Sequence, residues 1–358
     1  MLRKCCVSPI AGSGLGVVAT QSIAAGEQVL AEKPLFLLTA AQLSAAQEPE
    51  AQEALLRSAL AQLEQPGDVE AFWELSDCRA ADDSSKNPVG VFRTNAIATG
   101  TASASSRSGV YRLGARFNHS CKPNVNRCWI ESLQMELFHA TQDISAGEEL
   151  CVYYVDPKGL FSQRQAVLRE DFNFTCRCGT CSLPEAQGAA SDRLRQEYQD
   201  LDERAPKVAA EDPDEAVDLI LRVLEIIQEE FDGDPHMAQR AFNDGFQFAV
   251  LAGDLDLAQS FLQRAHEAKV LAEGDHAESR ELLKLAENPG LHPLVQASSA
   301  SKAPGKAQTR FCEDFENTCS YCGPDTSCDK SKADHERASV QTVSSASTAA
   351  SLDLRSLD

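Results

Sequence analysis

The pattern of hydrophobic and polar positions changes rhythm twice along the 358-residue chain. Between residues 14 and 38 the apolar residues come in short, β-branched runs, and Gly16 to Thr20 and Glu27 to Ala31 read as two strands joined by a turn at Ala25-Gly26. Residues 40 to 75 turn rich in Ala, Leu, Gln and Glu, with Leu55, Leu56, Ala59, Leu60 and Leu63 at helical spacing. Ser84 to Pro88 break that pattern, and Thr99 to Gly109 read as a Ser/Ala/Gly loop. Strand character returns at 125–130, 135–139 and 149–155, with Gly147 supplying the turn before the last, and 162–171 read as a short helix. Beyond Pro184 the period is helical. Val217, Ile220, Leu224, Ile227 and Phe231 mark one apolar face; Ala238, Ala241, Phe242 and Phe246 a second; Ala258, Phe261, Leu262 and Ala265 a third. The short link from Ala252 to Asp254 makes the latter two an antiparallel pair. After Val295 the chain turns to Ser, Ala, Lys and Thr, a composition that predicts a largely disordered tail over 296–358.

Length and composition narrow the classes. A chain of this size holds two or three compact domains, and no run of about 18 apolar residues predicts a membrane span. Met1 to Lys4 is basic and Val7 to Ala25 mostly small and apolar, but Pro9, Gly12, Gly14, Gly16 and Gln21 make a poor signal peptide. The net charge of −21 argues against phosphate-backbone binding, so no direct nucleic-acid partner is expected. Divided at residues 185 and 297, the chain carries −5, −14 and −2, so the acid lies in the helical third. There it forms either a solvated helical face or a surface that attracts Lys- and Arg-rich polypeptides.

Thirteen cysteines, an odd number without a convincing secretory signal, point to free thiols and metal sites in a reducing compartment rather than to disulfides. Two clusters stand out. Cys176, Cys178 and Cys181 follow a C-x-C-x2-C pattern. Cys312, Cys319, Cys322 and Cys328 have the right count for a second metal, but lie in a polar tail with little apolar support. The first cluster is the last of four pieces in order. The others are Gly14-Leu15-Gly16, Asn118-His119-Ser120-Cys121, and Gly147 to Tyr154, which ends in Tyr153-Tyr154. Each alone is weak: Gly-x-Gly is usually a turn, and a tyrosine at a strand end is usually packing.

Together they resemble the SET-domain protein lysine methyltransferases. Gly14 to Phe36 is similar to the opening strands of that domain. Arg93 to Asn95 and Arg116 to Asn124 are similar to its cofactor-binding segments, Asp143 to Leu150 to the turn before its catalytic strand, and Cys176 to Cys181 to its post-SET zinc clip. The resemblance covers about residues 9 to 183. It is greatest to the SET-and-MYND branch, although the insert at about 40–90 holds only Cys78 and so has no MYND zinc finger.

The resemblance implies an α+β chain. A mainly-β SET fold occupies 1–183, with a helical insert and a post-SET zinc clip at 172–183, and an all-α, tetratricopeptide-like domain follows at 184–295. It implies S-adenosylmethionine-dependent methyl transfer to lysine side chains of protein substrates, histone tails among them. Tyr154 corresponds to the catalytic tyrosine, and Tyr153 stands where relatives often carry a small residue. Adjacent strand residues face opposite ways, so one of the pair should reach the site. Gly14, Gly16, Asn95, Asn118, His119 and Phe174 correspond to cofactor contacts, the glycines letting the backbone approach where a Cβ would collide. Phe172 corresponds to a wall of the lysine channel. Cys121, Cys176, Cys178 and Cys181 correspond to the ligands of one structural zinc. His119 is expected not to abstract a proton. The resemblance leaves nucleus and cytoplasm as locations, and −14 in the helical region favours a basic substrate. The alternative is a catalytically weak SET scaffold for protein–protein interaction, which Leu15, in a position often basic in relatives, and the missing finger allow.

Overall fold

The computed structural model describes residues 4–100 and 107–300. The second cysteine cluster and the predicted tail beyond Ala300 lie outside the described residues. In chain order the elements are β1 (Cys5–Ile10), β2 (Gly14–Ala19), β3 (Gln28–Glu32), β4 (Phe36–Thr39), α1 (Ala40–Ala45), α2 (Pro49–Ala61), α3 (Asp68–Trp73), α4 (Pro88–Asn95), β5 (Ile97–Thr99), β6 (Arg107–Val110), β7 (Asn118–His119), β8 (Val125–Ile130), β9 (Met135–Ala140), β10 (Glu149–Val152), α5 (Phe161–Phe172), α6 (Glu185–Val208), α7 (Pro213–Glu230), α8 (Pro235–Ala252), α9 (Leu255–Glu273), α10 (Ala277–Glu287) and α11 (Pro293–Ala300).

The strands form small sheets ordered β1-β2-β10-β7, β3-β9-β8 and β4-β6-β5. Alternation along β2 and β10 buries Val17, Ala19, Leu150 and Val152 against Ile23, Phe117, Phe138 and Ile144. Phe117 and Phe138 stack with ring centroids 4.7 Å apart. The predicted insert is helical, α1 to α4, and closes over its own core of Leu38, Leu56, Phe72, Leu75, Val91 and Phe92. Two expectations fail locally. Arg107–Val110, assigned to a loop on its Ser and Gly content, is the central strand of the third sheet. Its small residues are required there, because a Cβ on Gly109 would lie 2.9 Å from Leu37 and 3.0 Å from Tyr111. The last strand stops at Val152, so Tyr153 and Tyr154 lie just beyond it in a turn.

The C-terminal region is helical, each helix packed on the next. Asp-Pro starts two of the helices: Asp212 and Asp234 cap α7 and α8 through their carboxylates, while Pro213 and Pro235 occupy the first turn. Asp254 caps α9 in the same way, directly after Gly253 ends α8 at φ 81°. Ile220, Ile227, Phe231, Phe246, Phe261 and Leu262 meet in one core, as the periodicity predicts. The helical packing runs past 295 into α11, where Leu294 and Val295 are buried. Among the described residues no helix is long and apolar enough to cross a membrane.

Candidate active site and metal centre

The site is assembled by a parallel pairing that local sequence does not announce. β10 lies antiparallel to β2 on one edge and parallel to β7 on the other, with Cys151 opposite Asn118 and Val152 opposite His119. Three of the four sequence pieces are thereby side by side. The amide of Asn118 donates to Glu149 Oε1 at 2.8 Å and to the Leu15 carbonyl at 3.4 Å.

The two glycines beside it serve different needs. Gly14 adopts φ 74° with open space around its Cβ direction, so its turn requires glycine for conformation alone. Gly16 has no such backbone. A Cβ there would lie 2.7 Å from Asn118 Nδ2, 2.8 Å from Glu149 Oε1 and 2.6 Å from Ile10 Cγ1. The collision expected with a cofactor is thus already present within the chain. Leu15 is 47% exposed, as a residue at the mouth of a site would be.

Both ring nitrogens of His119 are engaged. Nδ1 accepts the Tyr154 backbone N–H at 3.1 Å, which leaves the proton on Nε2, 3.3 Å from Cys121 Sγ. Burial pushes this imidazole down to about 4, so it is neutral at physiological pH with its lone pair occupied. A proton-abstracting role has no free nitrogen to use.

Tyr154 donates its hydroxyl to the Phe117 carbonyl at 2.7 Å, and burial raises its phenol well above the usual range, so the proton stays in place. Its ring meets Phe172 at 4.9 Å, His119 at 5.6 Å and Phe174 at 6.5 Å. Phe172 and Phe174 both reach this cluster because Asn173 between them takes the left-handed conformation, φ 56°, that ends α5. The Asn173 amide donates to the Cys78 carbonyl at 2.9 Å and ties that turn to the insert. Tyr153 leaves in another direction, its hydroxyl donating to Asp234 Oδ2 at 3.1 Å.

Asn95 is the last residue of α4. Its amide donates to the carbonyls of Ser76 at 2.6 Å and Val91 at 2.7 Å, and the residue is buried. The side-chain nitrogen is thereby directed to the end of α4, and a cofactor contact from this residue would use its Oδ1 or its backbone.

The four cysteines of the expected clip converge, their sulfurs all within 4.8 Å of one another. Tetrahedral zinc with Zn–S bonds of about 2.3 Å would set sulfurs about 3.8 Å apart, so this soft donor set fits one closed structural ion. Three residues that motif reading did not single out support the quartet or its surroundings. Arg164 donates from Nε to Cys121 Sγ at 3.2 Å. Gln165 pairs with the backbone of Cys176, donating to its carbonyl at 2.9 Å and accepting its N–H at 3.1 Å. Glu32 accepts the backbone N–H groups of Arg112, Leu113 and Gly114 and fixes the approach to Phe117. A basic residue one helical turn into the segment before the clip was the available signal for Arg164. Glu32 offered none, because its partners are backbone.

Small curled sheets, a parallel strand pair carrying Asn-His, a tyrosine just beyond it and a closing cysteine clip define a SET-type architecture. The SET domain family profile matches residues 14–155. Histone-lysine N-methyltransferase set5 of Schizosaccharomyces pombe is 31% identical over 300 residues, which is 82% of this chain and 87% of that protein. Protein-lysine N-trimethyltransferase SMYD5 of Gallus gallus is 38% identical over 77 residues, 21% of this chain and 18% of that protein. Histone-lysine N-methyltransferase ATXR4 of Arabidopsis thaliana is 35% identical over 72 residues, 20% of this chain and 22% of that protein. The chain belongs to the SET-domain family.

Proposed function

We propose that the chain is an S-adenosylmethionine-dependent protein-lysine N-methyltransferase, with a SET domain over 1–183 and a helical domain over 184–295. The observation that carries this reading is the grouping of Asn118 and His119 with Tyr154 under Phe172 and Phe174. S-adenosylmethionine, when bound, supplies an electrophilic methyl group on a sulfonium. Gly14, Gly16, Asn118, His119 and Phe174 would hold it. Asn95 would join them through its Oδ1 or its backbone, its side-chain nitrogen being held by Ser76 and Val91.

The chain's own work is to present a neutral amine in line. A lysine with a reference pKa of about 10.4 is charged at pH 7 and must leave its proton in water before entering. Phe172 and the Tyr154 ring provide apolar walls that disfavour the ammonium form and exclude bulk water. The Tyr154 hydroxyl, held by the Phe117 carbonyl, has an oxygen lone pair free to orient the amine, an electrostatic rather than covalent contribution. His119, neutral and doubly engaged, holds the Tyr154 backbone. Cys121, Cys176, Cys178 and Cys181 would bind one structural zinc and hold Phe172 and Phe174 over the site.

The substrate is a protein lysine in basic surroundings, with histone tails the first candidates and nucleus or cytoplasm the setting. The acidic helical region and the histone-lysine specificity in relatives' names support this. The test is transfer of labelled methyl to core histones and to a cell lysate, wild type beside Tyr154→Phe and Asn118→Ala. Label on lysine is expected for wild type. It should fall by about a hundredfold or more in Tyr154→Phe, and be lost in Asn118→Ala. Silence on every substrate, with no S-adenosylmethionine binding by calorimetry, would instead support the scaffold reading.

A further inference from the structure

The turn that carries Tyr154 is held from two sides. On the SET side, the Tyr154 N–H donates to His119 and its hydroxyl to Phe117. On the other side, the residues just before and after it are held by helices. Tyr153 donates its hydroxyl to Asp234 Oδ2 at 3.1 Å, while Oδ1 of the same carboxylate caps α8 through Met237 N at 2.9 Å. Arg195 of α6 donates to the Pro157 carbonyl and, at 2.7 Å, to Glu230 Oε1, with its guanidinium 4.8 Å over the Phe231 ring. Gln199, one turn along α6, donates to the Lys158 carbonyl at 2.7 Å. Arg195 has no exposed surface and Asp234 is 6% exposed.

Buried ion pairs add little net stability compared with apolar groups of the same volume, whereas their hydrogen bonds impose direction. Direction is what this turn needs. Tyr153 and Tyr154 share one planar peptide, so a fixed Tyr153 restricts the plane from which the Tyr154 side chain departs. A tilt of about 10° there would move a tyrosine hydroxyl by about 1 Å, and misplacement on that scale costs about a hundredfold in rate.

We infer that Tyr153, Asp234 and Arg195 form a latch through which the helical region sets the orientation of the Tyr154 hydroxyl, making Tyr153 and Arg195 positioning residues for methyl transfer. The inference rests on the methyltransferase reading. It gives the helical region a part in the chemistry.

Tyr153→Phe tests it in the full-length chain, since only the hydroxyl is lost and the ring still packs. Asp234→Ser is the second variant, because serine still caps α8 but its single short hydroxyl cannot also reach the phenol. Both should lower kcat by about ten- to a hundredfold, with KM for S-adenosylmethionine and for peptide within about twofold and a chain that stays fully folded under the assay conditions. Amide exchange over 152–158 should accelerate in both. A kcat for Tyr153→Phe within about twofold of wild type, or a rate loss matched by equal loss of folded protein, would overturn the inference. A wild type that moves no methyl would sink the methyltransferase reading instead. Exchange over 152–158 would then decide the latch by itself: acceleration in Tyr153→Phe sustains it, and unchanged protection removes it.

Discussion

Replacing Gly16 by alanine separates two roles that a glycine pair confounds. The added methyl would come within 2.6 to 2.8 Å of Ile10 Cγ1, Asn118 Nδ2 and Glu149 Oε1. Asn118 Nδ2 and Glu149 Oε1 are side-chain ends that can move and Ile10 is on the edge strand β1, so the fold survives, but the movement parts the 2.8 Å hydrogen bond between Asn118 and Glu149. An amide–carboxylate bond that is partly buried is worth about 1.5 kcal/mol, and local overpacking adds about 1 kcal/mol. The expected destabilisation is therefore about 2.5 kcal/mol by denaturant titration, an order-of-magnitude sum of those two terms. On the proposed function, the displaced Asn118 should also weaken S-adenosylmethionine by about tenfold in calorimetry, since one such bond is worth about that factor. Gly14→Ala makes the contrast. Its Cβ meets nothing within 4 Å, but φ is 74°, so the cost is the left-handed strain of about 1–2 kcal/mol. Cofactor affinity should then fall less than in Gly16→Ala, because the Asn118–Glu149 bond is left intact. Equal losses of affinity in the two variants, or a larger loss in Gly14→Ala, would refute the assignment of Gly16 to Asn118.

The remaining expectations concern the metal centre and the interface of β9 with α9 and α10. Cys178→Ser should remove one equivalent of zinc relative to wild type by metal analysis, and an unchanged stoichiometry would exclude the quartet as a zinc site. Arg164→Gln leaves the four sulfurs in place and should weaken zinc about 10–100-fold in chelator competition, because a donor to Cys121 is lost. His139 on β9 is buried and held down to about 4, by burial first and then by His276, with Lys4 acting the same way and Glu273 opposing. Its folded pKa lies below the unfolded value of about 6.5, so the unfolded chain takes up the proton first. This contribution is fully present above pH about 6.5 and declines as pH falls toward about 4, by up to about 3 kcal/mol. Denaturant stability of wild type minus His139→Gln should show that slope, and a flat difference would remove His139 as its source.

Legibility in the sequence followed the range of the interactions. Helical periodicity placed α7, α8 and α9 correctly because each buries one face on its neighbours, and because Asp-Pro and Gly253-Asp254 mark their ends locally. The strand at Arg107–Val110 was hidden because Gly109 answers a close approach by Leu37, its cross-strand partner in β4 and distant in sequence. Asn95 matched a motif, and its side-chain nitrogen is held by Ser76 and Val91. Motif matching gives residue type and spacing; it does not say where hydrogen bonds are spent.

The sequence by itself determined the candidate chemistry: Asn118-His119, Tyr154, Phe172, Phe174 and four cysteines in an order that only one family resemblance accommodated. Tertiary structure decided the rest. The parallel pairing of β7 with β10 brings Asn118 and His119 beside Tyr154, and it joins segments more than thirty residues apart with no local signature at either. The destination of Tyr153, a carboxylate capping a helix 81 residues away, likewise depends on how the helical region docks. Such contacts are fixed by packing of whole elements, whose side-chain partners are chosen only once the backbone has closed.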